Sequence, residues 1–292
     1  MIVSAMDVGG THVAVANVDL ATRSLVPGQS GHAPLDCSAD AAQVVSTLAR
    51  CAVELPRRDD VRWAIALPGP FDYARGIGRY ADVGKFDALR DYDLGAALSP
   101  LLPGSRHVSF HNDAEAFLLG EWWAGAARGH RRAVGITLGT GVGSCFLADG
   151  QVVRHGPGIP PDGRVDLLRY AGKPLEETVS RQAIRRAYAH ATGDTAALDV
   201  REIAHQARHS GTVAGVFRRT FHALGTVLGP CITAFDPSIL VIGGAIAASW
   251  DLIAEPLRAG FACAERVLVQ PAQHRIAAPL LGAAFLGQHR TG

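Results

Sequence analysis

The chain has 292 residues, 48% of them hydrophobic and 19% charged, with 33 glycines and 16 prolines; this excludes a disordered tail and provides for one large domain or two closely joined ones. With 28 basic and 27 acidic residues the formal net charge is +1, so no global field recommends nucleic acid or an anionic membrane as a partner. Lys85 and Lys173 are the only lysines and are followed by Phe86 and Pro174, which rules out a Gly-Lys-Ser/Thr phosphate loop.

From Ile2 to Met6 an apolar stretch runs into Asp7-Val8-Gly9-Gly10-Thr11, and Val13 to Leu20 returns as a second strand, a hairpin with a glycine turn. Ala42, Val45, Leu48, Ala49 and Ala52 keep one apolar face of a helix over Ala39 to Leu55, and a buried strand, Val61 to Leu67, stops at Pro68-Gly69-Pro70. Phe71 to Leu94 lacks periodicity and reads as a long functional loop at the mouth of a cleft. A strand, Arg106 to Phe110, then meets a helix from Ala114 to Ala124. The theme repeats: strand Ala133 to Leu138, turn Gly139-Thr140-Gly141-Val142-Gly143, strand Ser144 to Leu147 closing at Asp149-Gly150. Helices are expected over Leu175 to Thr192, Asp199 to His209, Thr212 to Phe235, Ala247 to Ala259 and Leu280 to His289, with strands Ile239 to Ile242 and Val267 to Gln270. The reading is two α/β halves, 1–112 and 113–278, with a C-terminal helix, 279–292, available to pack back on the first half.

The five cysteines, Cys37, Cys51, Cys145, Cys231 and Cys263, show no C-x-x-C spacing, so a reduced, cytoplasmic compartment is expected. No basic leader follows Met1 and no uncharged apolar run reaches the ~18 residues of a bilayer span, so neither membrane nor secretion is expected.

Four positions invite chemistry. In Asp7-x-Gly9-Gly10-Thr11 an acid ends a strand, and the glycines let backbone N–H groups approach an anion without Cβ obstruction. Thr11 adds a hydroxyl donor, and Asp7 could hold Mg²⁺ through water; the alternative is simply a tight hairpin. Gly139-Thr140-Gly141 and Gly243-Gly244 are further glycine sites at strand ends, and three such sites point to an extended nucleotide. A dinucleotide fold is the weaker reading, because Ser144-Cys145-Phe146-Leu147 continues as a strand where a helix would be needed. Asn112-Asp113 lies at a strand-to-helix junction. A carboxylate there suits a general base and the amide a sugar ligand, while Asn112 followed by Glu115 also reads as a helix cap; the two roles are compatible.

With these residues in order, the chain resembles the ROK family of sugar kinases, repressors and open reading frames, within the actin-like ATPase superfamily. The carriers are Asp7-Val8-Gly9-Gly10-Thr11, Pro68-Gly69-Pro70, Asn112-Asp113-Ala114-Glu115 through Leu119-Gly120-Glu121, Gly139 to Gly143, and Asp236-Pro237 through Ile242-Gly243-Gly244. The resemblance implies a two-lobed, ribonuclease H-like α/β fold with a cleft between the lobes. It implies ATP-dependent, Mg²⁺-assisted phosphorylation of the 6-hydroxyl of a hexose or hexose-like substrate. Asp113 would be the general base, Asn112 and Gly69 sugar contacts, and Gly9 to Thr11, Gly139 to Gly141 and Gly243 to Gly244 contacts to ATP. A homodimer is implied by family likeness alone.

The departures carry information too. Family members usually have a sugar-binding Glu-x-Gly-His whose histidine joins a cysteine-rich run around structural zinc. Here the stretch is Gly158 to Arg164, and Leu168 to Glu176 holds no cysteine, so structural zinc is not expected. Asp162 and Arg164 stand near enough in sequence to take over the sugar contacts, or form an ordinary solvated loop. His12 occupies a place where many relatives carry lysine. Asp82 lies where relatives use asparagine on the sugar's middle hydroxyls; its carboxylate would suit an ammonium, as in a 3-amino sugar such as kanosamine, the alternative being a solvated loop acid. A C7 cyclitol of secondary metabolism is a further candidate substrate. One rival class, a sugar-sensing transcriptional regulator, would add a helix-turn-helix, for which no room is expected ahead of Asp7; a second, a catalytically dead sugar sensor, is opposed by the presence of both Asn112 and Asp113.

Overall fold

A computed structural model describes residues 1–81, 83–261 and 266–288. The chain divides into two compact units, Met1–Ala124 together with the stretch from Ile276, and Gly125–Arg275.

In the first unit, β1 (Ile2–Val8) pairs antiparallel with β2 (His12–Asp19), which pairs with β3 (Ser24–Pro34). Helix α1 (Ala41–Ala52) follows, its N-terminus capped by the Asp40 carboxylate, which accepts from the Gln43 amide at 2.8 Å. β4 (Val61–Leu67) lies parallel to β1. The expected loop after it is partly ordered: β5 (Phe71–Asp72) and β6 (Ile77–Gly78) form a small hairpin, and α2 (Leu94–Leu98) begins at the Asp93 cap. β7 (Ser105–Asn112) then runs parallel to β4 and passes directly into α3 (Asp113–Ala124). The sheet order is β3-β2-β1-β4-β7.

Alternation sorts this sheet into a bulky and a small face. Met6, Val15, Trp63, Ile65 and Leu67 point to α1 and its Val44, Val45 and Leu48. Ala5, Ala14, Ala16, Ala64 and Ala66 point to the other side.

The second unit repeats the plan. β8 (Arg132–Leu138) pairs antiparallel with β9 (Val142–Ala148), and β10 (Gln151–Val152) follows across the Asp149-Gly150 turn, where both residues have positive φ. β11 (Arg169–Tyr170) and β12 (Lys173–Pro174) form a separate hairpin. The single helix expected over Leu175 to Thr192 is two, α4 (Glu176–Val179) and α5 (Arg181–Thr192), because Ser180 takes extended backbone and its hydroxyl accepts from the Ala183 amide as a fresh N-cap. α6 (Val200–Ala207) opens on a capping box of Asp199 and Glu202. α7 (Gly211–Phe235) lays Phe217, Phe221, Leu224 and Leu228 on the sheet. β13 (Ile239–Gly243), α8 (Trp250–Ala259) and β14 (Leu268–Pro271) complete an order of β10-β9-β8-β13-β14, the same as in the first unit.

The last helix, α9 (Ala278–Gln288), belongs to the first unit and seats on its alanine face beside α3. The two helices touch backbone to backbone: a Cβ on Gly282 would collide with the Ala116 carbonyl, and one on Gly120 with that of Ala278. This contact keeps α3 with the first unit, so the division falls after Ala124 and not near residue 112. Among the described residues, no helix is long and apolar enough to cross a membrane.

Candidate active site

In the first unit three strands end side by side, Asp7 lying opposite Ala66, and Leu67 opposite Asn112. Their C-terminal ends therefore place Asp7, the Pro68-Gly69-Pro70 turn and the Asn112-Asp113 junction in one row, the position where open α/β sheets bind ligands.

Gly9 closes the first hairpin by donating its amide to the His12 carbonyl at 2.9 Å. A Cβ at this position would lie 2.6 Å from the His12 ring, so any other residue here would have to move that side chain. Thr11 is exposed at the tip, and its carbonyl accepts from Leu35. His12 itself has its pKa lowered, first by burial and then by the nearby His32.

Asp7 is partly buried, and burial followed by the negative charge of Asp113 pushes its pKa up to about 7. Asp113 is raised as well, by burial; the Lys85 ammonium and the Ala114 amide, which donates to Oδ1 at 2.9 Å, pull it back. Two carboxylates thus share a poorly solvated corner in which both cannot ionise cheaply.

Asn112 is the cap of α3. Its Oδ1 accepts from the Ala114 and Glu115 amides at 3.1 Å each. Its Nδ2 donates to the Tyr73 hydroxyl at 3.0 Å, and Tyr73 donates on to the Leu67 carbonyl at 3.2 Å. Gly69 leaves space for this phenol, since a Cβ there would stand 3.3 Å from it. Tyr73 and Lys85 were not singled out as site residues from sequence: they fall in the stretch without periodicity, and nothing local ties Tyr73 to a residue 39 positions away.

In the second unit the Gly139–Gly143 turn and Gly243-Gly244 come together at the ends of β8 and β13. Gly243 pairs with Thr137, and Gly244 (φ 82°) packs so tightly on the Leu138 main chain that no side chain fits. The element after Gly244 is a 3₁₀ segment, Ala245–Ser249, and the helix expected from Ala247 starts only at Trp250. Gly139 and Gly141 bracket the turn, with the Gly139 amide donating to the Gly141 carbonyl at 3.0 Å. Glu176, also unforeseen, reaches this turn: its Oε2 accepts from the Val142 amide at 3.3 Å and would lie 2.9 Å from a Cβ on Gly141.

Asp162 and Arg164 belong to this second unit. The Ser144 hydroxyl donates to the Gly163 carbonyl at 2.6 Å and accepts from the Val165 amide at 3.0 Å, tying the segment to β9 just after the glycine turn. Asp162 is exposed, 3.9 Å from His155, and Arg164 is paired with Asp166 at 2.6 Å. Asp82 lies outside the described residues. Among the described residues no group of three or more His, Cys, Asp or Glu side chains is arranged to hold a metal ion.

Known proteins share both sequence and fold with this chain. A glucokinase of Thermotoga maritima is 29% identical over 238 residues, covering 74% of each chain. An N-acetylgalactosamine kinase of a Shewanella species is 28% identical over 273 residues, 85% of this chain and 83% of its own. The crystal structure of a ROK family glucokinase from Streptomyces griseus, in complex with glucose and AMPPNP, superposes with a TM-score of 0.80 over 99% of both chains at 23% identity, and shares the expected α/β fold. The model of the ROK family matches residues 3–290, and this chain belongs to that family.

Proposed function

We propose that this protein transfers the terminal phosphoryl group of ATP to the primary 6-hydroxyl of a hexose or hexose-like substrate. The protein is an ATP-dependent carbohydrate kinase, and the observation that carries the finer reading is the Asp113 carboxyl at the head of α3, partly exposed and with its pKa raised by burial. A base works best when its pKa approaches the working pH, and burial moves a carboxylate in that direction. Asp113 accepts the proton of the attacking alcohol, and Asn112 beside it orients the sugar. Gly9, Gly10 and Thr11 receive phosphate oxygens, while the Gly139–Gly141 and Gly243-Gly244 turns hold the rest of the nucleotide. Glu176 keeps the first of these turns in shape through the Val142 amide. Gly69, Asp162, Arg164 and Asp82 serve the substrate.

A hard-oxygen site with one or two carboxylates suits Mg²⁺, which keeps several waters and bridges phosphates. Asp7 supplies one such carboxylate, and a cation beside it would offset the burial and the Asp113 charge that oppose its ionisation. Bound there through water, Mg²⁺ would neutralise charge on the transferring phosphoryl group.

The kind of sugar follows from an assay, since names of relatives include both glucokinase and N-acetylgalactosamine kinase. ADP formation would be followed with glucose, glucosamine, N-acetylmannosamine, kanosamine and C7 cyclitols. The reading expects ADP release with at least one of them and a 6-phosphate by ³¹P NMR. ADP release at the solvent background with every alcohol, or phosphate on a ring hydroxyl, would overturn it. A carboxylate at Asp82 favours the amino sugar within that panel.

A further inference from the structure

We propose that Tyr73 is a positioning residue for the substrate: its hydroxyl fixes the polarity of Asn112, so that this side chain offers the sugar a hydrogen-bond donor and meets a substrate atom that accepts. The inference rests on the kinase reading above and deepens it at one contact. An asparagine amide can point either way, and here its direction is set from both ends. Oδ1 must face α3, because the Ala114 and Glu115 amides are donors and both reach it at 3.1 Å. Nδ2 must then face Tyr73, whose oxygen takes one of its hydrogens at 3.0 Å. The phenol proton in turn goes to the Leu67 carbonyl, which can only accept.

The direction of donation is thus Asn112 to Tyr73 to Leu67, anchored on the backbone of β4. Oδ1 has spent both lone pairs on the helix, and among the described residues one Nδ2 hydrogen remains. A sugar hydroxyl can accept it through a lone pair, whereas an ammonium cannot, so the group that meets Asn112 is an oxygen. An amine elsewhere on the substrate is unaffected. Tyr73 is held for this task by its ring, which packs on Phe71 with centroids 5.4 Å apart and forms one wall of a groove of about 450 Å³ along β7. The hydroxyl can therefore be removed without losing the packing.

The test compares wild type, Tyr73→Phe, Asn112→Asp and Asp113→Asn, using the hexose with the highest kcat/KM in the panel. Tyr73→Phe is expected to raise the hexose KM about three- to tenfold, the worth of one neutral hydrogen bond, with the ATP KM within about twofold and Tm within about 2 °C. Asn112→Asp keeps the helix cap but replaces the donor with an acceptor, and is expected to raise the hexose KM more than Tyr73→Phe does. An unchanged hexose KM in either variant overturns the proposal while leaving the kinase reading intact, provided Asp113→Asn is inactive. A joint rise of both KM values with a fall in Tm assigns Tyr73 a purely structural role and also overturns it. If wild type phosphorylates no alcohol, both readings fall together.

Discussion

Replacing Asp7 by Asn removes an ionisation that burial and the Asp113 charge oppose. The folded chain holds this proton up to about pH 7, whereas the unfolded chain releases it near 3.8. Wild-type stability therefore falls as pH rises through that window and levels off above it. The full displacement corresponds to about 4 kcal/mol, of which about 2 kcal/mol is lost between pH 5.5 and pH 8. Asn is nearly isosteric and does not titrate, so Asp7→Asn should lose about 2 kcal/mol less than wild type across that interval, or about 3–6 °C in Tm. Asp113 is common to both proteins, although without its neighbour's charge its own titration eases slightly. Thermal melts of the nucleotide-free protein at pH 5.5 and 8 measure the difference directly. Parallel losses in the two proteins would refute the reasoning, and so would a variant less stable than wild type at pH 8.

Two further outcomes follow. Gly282→Ala, at the contact of α9 with α3, drives a methyl group into the Ala116 carbonyl and to 2.8 Å from the Gly120 amide; it should cost about 1–3 kcal/mol of stability, and a gain, as ordinary helix propensity would give, would contradict the packing. Glu176→Ala leaves the Val142 amide without its carboxylate and should raise the ATP KM several-fold with the hexose KM unchanged, as measured by initial rates with either substrate saturating.

Much of this molecule was legible because its signals are local. Strand β4 matches its expected bounds, since a short apolar run is ended by Pro68-Gly69-Pro70, and the two strand-turn-strand repeats became the first hairpins of two sheets with one strand order. The Asn112-Asp113 junction reads in sequence as both cap and site, and two hydrogen bonds make the cap explicit. What escaped was weakly patterned or distant. β3 contains Pro27, Gly28 and Pro34 and is mostly exposed, a composition a strand tolerates only at a sheet edge, where it lies. The break at Ser180 sits inside an unbroken helical pattern, and only the cap geometry reveals it. Tyr73 and Glu176 act across 39 and 34 positions, through hydrogen bonds that no spacing rule announces.

The central claim is that the carboxylate of residue 113 takes the proton from the acceptor alcohol. Its most direct measurement is single-turnover phosphoryl transfer by Asp113→Asn, beside equilibrium binding of ATP to the same protein. A loss of transfer of about 10²–10⁴-fold with ATP affinity kept is the predicted result; transfer within tenfold of wild type would contradict it.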